Sequence, residues 1–298
     1  MAISGGRVTE GSIHTRVLAN LQRNIAKGEK IQQQLSSGKT INRPSDSPTG
    51  TVSSLQLRGE ARASQQYSRN ADDGLGWLGT LDNTLSNVSS RVISARDLVV
   101  RGLNQGGNDP SSNEALASEI DQIRNTLVGY ANAKYLDRPV FGGSTTGEAA
   151  YTADGTYQGD AGQTARTVGA GQKVRVDATG PEAFGEGDAQ LFKVLKDVAD
   201  SIRAGDTDAT AANLEKLDAA HNLVKTTLSD VGARYNRLEQ MKQSAQDRLL
   251  TVTSQLSDIE DVDLPKTIME MQLQQTSYQA ALAASAKVIQ PSLIDFLR

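Results

Sequence analysis

The chain has 298 residues, with 31 lysines and arginines against 35 aspartates and glutamates, a formal net charge of −4 and no cysteine. No basic stretch stands out as a phosphate-binding surface, so we expect no nucleic-acid partner, and disulfides and thiolate metal sites are excluded. The sequence contains no run of about 18 apolar residues, so we expect no membrane partner. The first residues lack the apolar core of a secretory signal, so ordinary rules predict a cytoplasmic protein unless export needs no cleaved signal.

A first helix is predicted over residues 8–41. Its stripe of apolar residues at helical spacing is thin and includes Val17, Leu21, Ile25 and Leu35. Gly28 lowers helix propensity by about 1 kcal/mol relative to alanine, so this helix should be marginal on its own. Gly38 can take the left-handed conformation that ends helices. Residues 41–48 follow, and their two prolines and Ser-Asp-Ser cluster predict a turn-rich joint that caps the next helix.

The middle of the chain predicts two more helices, over 52–103 and 114–135, the second packing back antiparallel. A cluster of Gly74, Gly76 and Gly79 indicates close backbone approach or a local bend. After Pro139 the chain becomes rich in Gly, Thr and Ala. Alternating patches at 156–158 and 173–177 predict a small β-rich insert. A short helix is predicted over 191–202.

The dominant pattern of the sequence is a heptad repeat over residues 214–259. Fourteen positions at alternating steps of three and four form one seam, and only His221 and Lys242 break its apolar character. Such a helix would be roughly 69 Å long at 1.5 Å per residue. A helix of this length needs long partners, so we expect an elongated helical rod.

The last segment follows an acidic run, residues 258–263, which predicts a solvated break between helices. Beyond it a second, weaker heptad set combines Ile268, Gln275, Leu282 and Ile289 with Met271, Tyr278, Ser285 and Ser292. The chain finishes with an apolar tip that contains Leu293, Phe296 and Leu297, and that a monomer would expose. The two ends are expected to pair with each other or with copies of themselves.

Residues suited to catalysis are scarce. His221 lies on the heptad seam, where a packed, hydrogen-bonded histidine is favoured over a base or a ligand. The acidic run invites a calcium interpretation, but Asp263 and Met269 stand where an EF-hand needs Gly and Glu. Residues 141–147 lack the ending of a phosphate-binding loop. The sequence therefore predicts no enzyme, no cofactor and no metal site.

Two motifs carry a resemblance to a known family. The run over 34–50, QLSSGKTINRPSDSPTG, resembles the segment by which bacterial flagellins and their relatives are recognised. The runs over 261–283 and 290–297 resemble the hook-associated branch of that family. The resemblance implies a mainly α fold, an elongated rod of long antiparallel coiled-coil helices with a small β-rich insert. It assigns 1–47 and 263–298 to an inner assembly layer that is disordered in the monomer, 48–139 and 190–262 to the rod, and 140–189 to an outer insert.

The resemblance also implies a function: a structural protein whose ring joins the flagellar hook to its filament. Expected partners are copies of itself, neighbouring hook-associated proteins, hook and filament proteins, and an export chaperone at the C-terminus. Localisation would be extracellular, in the flagellum, after export without a cleaved signal peptide. Flagellin itself is the alternative within the family, and an intracellular coiled-coil scaffold is the alternative outside it.

The surface on which this function would depend lies on the two ends of the chain. Folding of these segments upon binding would bury their apolar side chains, each contributing roughly 1.5–3 kcal/mol before ordering costs. The predicted assembly residues are Val17, Leu21, Ile25, Leu35, Ile268, Met271, Tyr278, Leu282, Ile289, Leu293, Phe296 and Leu297.

Overall fold

The computed structural model describes residues 10–104, 109–145 and 147–289, with side chains from 15 to 286 within those ranges. The chain divides into two compact units. The terminal unit contains residues up to 61 and from 250 onward, and the central unit contains 62–249. Each unit is described by itself below.

Seven α-helices and four short strands form the described part of the chain. In order they are α1 (Glu10–Ser37), α2 (Pro48–Asn104), α3 (Pro110–Ala131), β1 (Lys134–Tyr135), β2 (Arg138–Pro139), β3 (Ala165–Gly169), β4 (Gln172–Arg175), α4 (Gly180–Phe184), α5 (Leu191–Arg203), α6 (Thr207–Glu260) and α7 (Leu264–Ile289). The strands make two antiparallel hairpins, β1–β2 and β3–β4. The prediction of a mainly α protein with long helices and a small β portion is confirmed. Among the described residues, no helix combines the length and apolar character needed to cross a bilayer.

The core of the central unit follows the predicted heptad seam. None of its fourteen positions on α6 is exposed, and Leu217, Val224, Val231 and Leu238 are fully buried. Helix α2 supplies a matching row of buried residues: Leu78, Leu81, Leu85, Val88, Val92 and Ala95. Ion pairs flank the row, with Arg96 Nε 2.7 Å from Asp218 Oδ1 and Lys242 Nζ 2.7 Å from Asp72 Oδ1. The repeat therefore specifies an antiparallel contact between α2 and α6.

The predicted hydrogen-bonded histidine on this seam is also confirmed. His221 is nearly buried, and its Nε2 lies 2.9 Å from Ser89 Oγ on α2. Burial lowers the pKa of His221, and the positive charges of Lys225 and Arg96 lower it further against the opposing charge of Asp218. A neutral, singly paired imidazole of this kind stabilises helix packing.

The insert is attached to the helices by aromatic and polar contacts. Tyr151 of the insert makes an edge-on contact with Phe192 of α5, at a centroid separation of 5.0 Å. The Asn132 side chain accepts hydrogen bonds from the amides of Ala150 and Tyr151, each 2.8 Å long, and so fixes the chain after α3. The insert thus completes the core of the central unit.

One predicted helix end and one predicted strand in the middle of the chain need correction. The third helix ends at Ala131, four residues before the predicted end, because the chain turns into the β1–β2 hairpin. In the hairpin, the ring of Tyr135 lies edge-on to the ring of Trp77, with the two ring centroids 5.7 Å apart. The patch predicted as a strand at 156–158 makes only an isolated bridge between Tyr157 and Tyr151. The second patch is confirmed as β4.

The glycine cluster on α2 serves close approach, as predicted. A Cβ built at Gly74 would lie 2.6 Å from a methyl of Leu238, and one at Gly76 would lie 2.4 Å from the Tyr135 hydroxyl. Glycine therefore allows the seam helix and the hairpin to pack directly against the α2 backbone.

The turn of the β1–β2 hairpin carries backbone strain. Leu136 and Asp137 have φ of 49° and 61°, and Leu136 is 73% exposed. Asp137→Gly should increase the free energy of unfolding by about 1 kcal/mol, because glycine adopts this conformation without a steric penalty. The melting temperature should rise accordingly. Thermal unfolding followed by circular dichroism measures the change. Leu136→Ala retains the positive φ and should change stability little. Equal melting temperatures for the Asp137→Gly variant and the unmodified chain would contradict the strain.

Candidate functional site: an assembly surface on the terminal helices

Helices α1 and α7 pack against each other in antiparallel fashion in the terminal unit. At one end Lys39 forms a β-bridge with Asp261, and farther along Gln274 Nε2 donates to the carbonyl oxygen of Asn24 at 2.8 Å. The contact, called the inner seam below, follows alternating steps of three and four on both helices. Its residues are Val17, Leu21, Asn24, Gly28, Ile31 and Leu35 on α1, and Thr267, Met271, Gln274, Tyr278, Ala281 and Ser285 on α7.

The inner seam is polar for a coiled coil. Of its apolar members only Ile31 is buried; the others are half-buried. Thr267 and Gln274 are buried polar residues, and both are hydrogen-bonded: Thr267 Oγ1 donates to the Asp263 carbonyl at 2.8 Å. Full burial of one large apolar side chain contributes roughly 1.5–3 kcal/mol, so this pairing has a small hydrophobic driving force.

Beside the inner seam, the same helices carry a second set of apolar side chains, and four of them directly follow a seam residue in sequence and so flank the seam. These residues, called the outer stripe, are between 43% and 68% exposed: Leu18 and Ile25 on α1, and Ile268, Met269, Leu273 and Leu282 on α7. Leu18 and Ile25 are seven residues apart, and so are Ile268, Gln275 and Leu282. Leu18, Ile25, Ile268 and Leu282 therefore have the heptad spacing of a helix–helix contact, and no residue in the described part of the chain covers them.

The predicted assembly residues divide between these two surfaces. Val17, Leu21, Leu35, Met271 and Tyr278 lie on the inner seam, whereas Ile25, Ile268 and Leu282 lie on the outer stripe. The predicted heptad on α7 therefore combines inner-seam residues with residues that flank the seam. Apolar character selected Ile268 and Leu282, but the polar Thr267 and Gln274 occupy the seam because they are hydrogen-bonded there. The side chains of Ile289, Leu293, Phe296 and Leu297 lie outside the described residues.

A group of polar contacts joins the end of α1 to the break between α6 and α7. Gly38 has the predicted left-handed conformation, with φ of 68°. The Thr40 amide donates to the Glu260 carbonyl at 2.6 Å, and the Val262 amide donates to the Gly38 carbonyl at 3.1 Å. Two short antiparallel backbone hydrogen bonds thus connect segments more than 200 residues apart in sequence.

Side chains reinforce this connection, which we call the clamp and define as Lys39, Thr40, Arg58, Glu260 and Asp261. Lys39 Nζ lies 2.5 Å from Asp261 Oδ1 and 3.6 Å from Glu260 Oε2. Arg58 lies 2.7 Å from the same Glu260 oxygen, and the Glu260 side chain is only 3% exposed. The prediction that this acidic run is a solvated break between helices is wrong for Glu260, which two cations hold in a buried position.

The joint before α2 is built by the motif that carried the family resemblance. Asp46 Oδ2 accepts hydrogen bonds from the amides of Asn42 at 3.2 Å and Arg43 at 2.9 Å, and its other oxygen lies 3.1 Å from Lys30 Nζ. Ser47 Oγ accepts from the Gly50 amide at 3.2 Å, which caps α2. These contacts fix the direction in which the chain leaves α1.

Electrostatics favours the charged form of the clamp. Burial alone would raise the pKa of Glu260, but the hydrogen bond from Arg58 and the charges of Arg58 and Lys39 outweigh it and lower that pKa. The hydrogen bond from Lys39 lowers the pKa of Asp261, and the same bond raises the pKa of Lys39. Within the described residues, no three histidine or acidic side chains are grouped so as to hold a metal ion.

Comparison with known proteins identifies relatives of the whole arrangement. The model of the bacterial flagellin N-terminal helical region matches residues 12–143, and that of the bacterial flagellin C-terminal helical region matches 214–297. Flagellar hook-associated protein 3 of Escherichia coli (strain K12) is 26% identical over 280 residues, with 86% of this chain and 88% of the relative covered. Flagellin of Bacillus subtilis (strain 168) is also 26% identical, over 298 residues, with coverages of 95% and 96%.

A solved structure shows the same fold. It is that of a flagellar hook-associated protein from Vibrio parahaemolyticus, with a TM-score of 0.66 and 22% sequence identity. The match covers 72% of this chain and all of the other one. At this identity the likeness concerns the fold alone.

The clamp should weaken in acid. Because the folded pKa of Glu260 is lower than its ordinary value of 4.5, its stabilisation is complete above that value and is lost as pH falls through the folded pKa. Glu260→Gln should cost about 1–3 kcal/mol at neutral pH, since Arg58 and Lys39 lose their shared partner. The readout is hydrogen exchange at the Thr40 and Val262 amides, which bridge the two segments.

The control for this measurement is Asp258→Asn, which neutralises an exposed carboxylate on the same helical turn. It should leave the exchange rates of both amides unchanged. In the unmodified chain the protection of both amides should fall as pH drops below 4.5, and in the Glu260→Gln variant most of this acid-dependent loss of protection should disappear. Unchanged protection in Glu260→Gln would mean that the backbone bridge holds without the buried charge.

Proposed function

Because the chain belongs to the bacterial flagellin family, we propose that it is a structural subunit of the bacterial flagellum, at the junction that joins the hook to the filament. The observation that carries this role is the outer stripe, a heptad-spaced apolar row on both terminal helices that a single chain leaves exposed. In the assembled ring, the outer stripes of neighbouring copies cover this exposed row. The hook-associated relative, which aligns with most of this chain, supports the junction as the location.

The polar inner seam and the apolar outer stripe support assembly through the terminal helices. The inner seam buries few large apolar side chains, so it stabilises the α1–α7 pair only weakly, and the outer stripe offers the larger apolar surface. Association of copies would then supply the burial that the single chain lacks. On this account the segments 1–47 and 263–298, which the resemblance assigns to a layer disordered in the monomer, become fully ordered on assembly.

Family membership also supports the remaining proposals. The chain acts without catalysis, and its partners are other flagellar components, including neighbouring hook-associated proteins and the hook and filament proteins. Its localisation is the extracellular flagellum, reached by export without a cleaved signal peptide and with an export chaperone bound to the C-terminal segment.

The second candidate is the filament subunit itself. The Bacillus subtilis flagellin has the same identity as the hook-associated relative and covers 95% of this chain against 86%, so the alignments do not favour the junction over the filament. The two roles differ in copy number, because a junction needs one small ring per filament and a filament needs its subunit in bulk. Quantitative mass spectrometry of flagella sheared from the source cells decides between them. Trace amounts support the junction, and dominance of this chain in the organelle would overturn it.

Substitutions in the outer stripe should separate assembly from folding. Ile268→Ser should raise the concentration at which copies associate by roughly tenfold or more, because burial of one large aliphatic side chain is worth roughly 1.5–3 kcal/mol. The helical content of the free chain should stay the same, since the side chain is already 47% exposed. Sedimentation velocity over a concentration series measures association, and circular dichroism measures helical content.

The matched control is Ile93→Ser on α2, where the isoleucine is also 47% exposed but lies in the central unit. This variant should associate at the same concentration as the unmodified chain. Equal effects of the two substitutions would show that general surface hydrophobicity, and not the outer stripe, drives association.

A further inference from the structure

A groove in the terminal unit lies at the point where α1 has no side chain. Its volume is about 380 Å³, and its walls come from both terminal helices: Asn24, Ile25, Gly28, Glu29 and Gln32 on α1, and Met271, Gln274, Gln275 and Tyr278 on α7. Met271 and Tyr278 flank it, and the Gln274 side chain crosses below Gly28 to reach the Asn24 carbonyl. Glu29 is the one charged side chain among these lining residues.

The fold of the single chain does not require glycine at position 28. The residue lies inside α1, and its φ is not in the left-handed region. A Cβ built there would meet only the Gln274 Cγ, at 3.9 Å, which is an ordinary van der Waals contact. Alanine would therefore fit and would favour the helix, because glycine in a helix interior is among the least favourable residues. The missing side chain leaves space that the chain itself does not fill.

We propose that the groove at Gly28 is a socket that receives an aliphatic side chain from the outer stripe of a second copy of this chain. The groove is continuous with the outer stripe, since Ile25 belongs to both and Gln275 stands between Ile268 and Leu282 at heptad spacing. A side chain that enters a hole between residues of facing helices is the unit of coiled-coil packing. With a single carboxylate on its edge, the socket suits an uncharged occupant.

This inference rests on the proposed function, and it names Gly28 as the position on α1 where a neighbouring copy docks. Most of the outer stripe consists of protruding side chains, and protrusions need a recess in the partner. The groove supplies that recess, and Gly28 lets the incoming helix approach the α1 backbone closely. The polar amides of Gln32 and Gln275 border an interior formed by Ile25, Met271 and Tyr278.

Filling the socket tests the proposal, because helix propensity and assembly should then change in opposite directions. Gly28→Ala should keep or increase the helical content of the free chain and raise the concentration for association severalfold. Gly28→Leu should raise it at least tenfold. The controls are Gly232→Ala and Gly232→Leu on α6, where a built Cβ meets no atom within 4 Å. These should associate as the unmodified chain does.

A chemical readout gives a second measurement. The chain has no cysteine, so Gln32→Cys places a single thiol beside the socket. Its rate of reaction with a maleimide should fall at least tenfold when copies assemble, whereas a thiol introduced by Glu215→Cys, exposed on α6, should react equally in both states.

The outcomes separate the two levels of the argument. If Gly28→Leu remains helical and associates at the concentration of the unmodified chain, or if the thiol at position 32 stays fully reactive in assemblies, the socket is overturned and the junction role stands. If the unmodified chain does not associate and is absent from flagella, the proposed function itself fails.

Discussion

The structure of the terminal unit depends on the buried charge of Glu260. Its carboxylate is shared by Arg58 and Lys39, and the backbone beside it forms the short bridge between residues 38–40 and 260–262. Together these contacts place the end of α1 beside the start of α7, so the antiparallel pairing starts in a defined register. A buried charge is costly to desolvate and its ion pairs add little net stability, but they specify geometry because displacing Arg58 and Lys39 leaves the Glu260 carboxylate buried and unpaired.

Register matters here because the seam beyond the clamp cannot specify it through hydrophobic burial. The inner seam is partly polar, with Gln274 and Thr267 at positions where a stable coiled coil would have leucine or isoleucine. Buried polar residues weaken a coiled coil and fix its alignment. A further set of large aliphatic side chains stands exposed on the outer stripe. In the proposed assembly, such a subunit would stay separate at low concentration and associate when other copies supply the missing contacts.

Much of this was predictable from the sequence, and the failures have physical causes. Three features are encoded by neighbouring residues and could be predicted: the α6 repeat, the glycine that ends α1, and the turn-rich joint. Each depends on the spacing of apolar residues or on the backbone conformation of a few positions. The face of α7 was not predictable, because Gln274 occupies the seam through a hydrogen bond to a carbonyl 250 residues away. The burial of Glu260 was missed for the same reason. Gly28 is recognisable in the sequence as a residue that disfavours a helix interior. Its groove could not be predicted, because the walls come from both α1 and α7.

Trp77 gives the molecule an optical property that follows from its packing. It is the sole tryptophan, it is buried in the central unit, and it is covered by Tyr135 and by the Arg138 guanidinium 5.5 Å from its ring. Its emission therefore reports on the packing of the central unit, including the β1–β2 hairpin. Melting of α1 and α7 would leave the tryptophan spectrum unchanged while ellipticity falls. Fluorescence and circular dichroism together thus resolve the two units without any label.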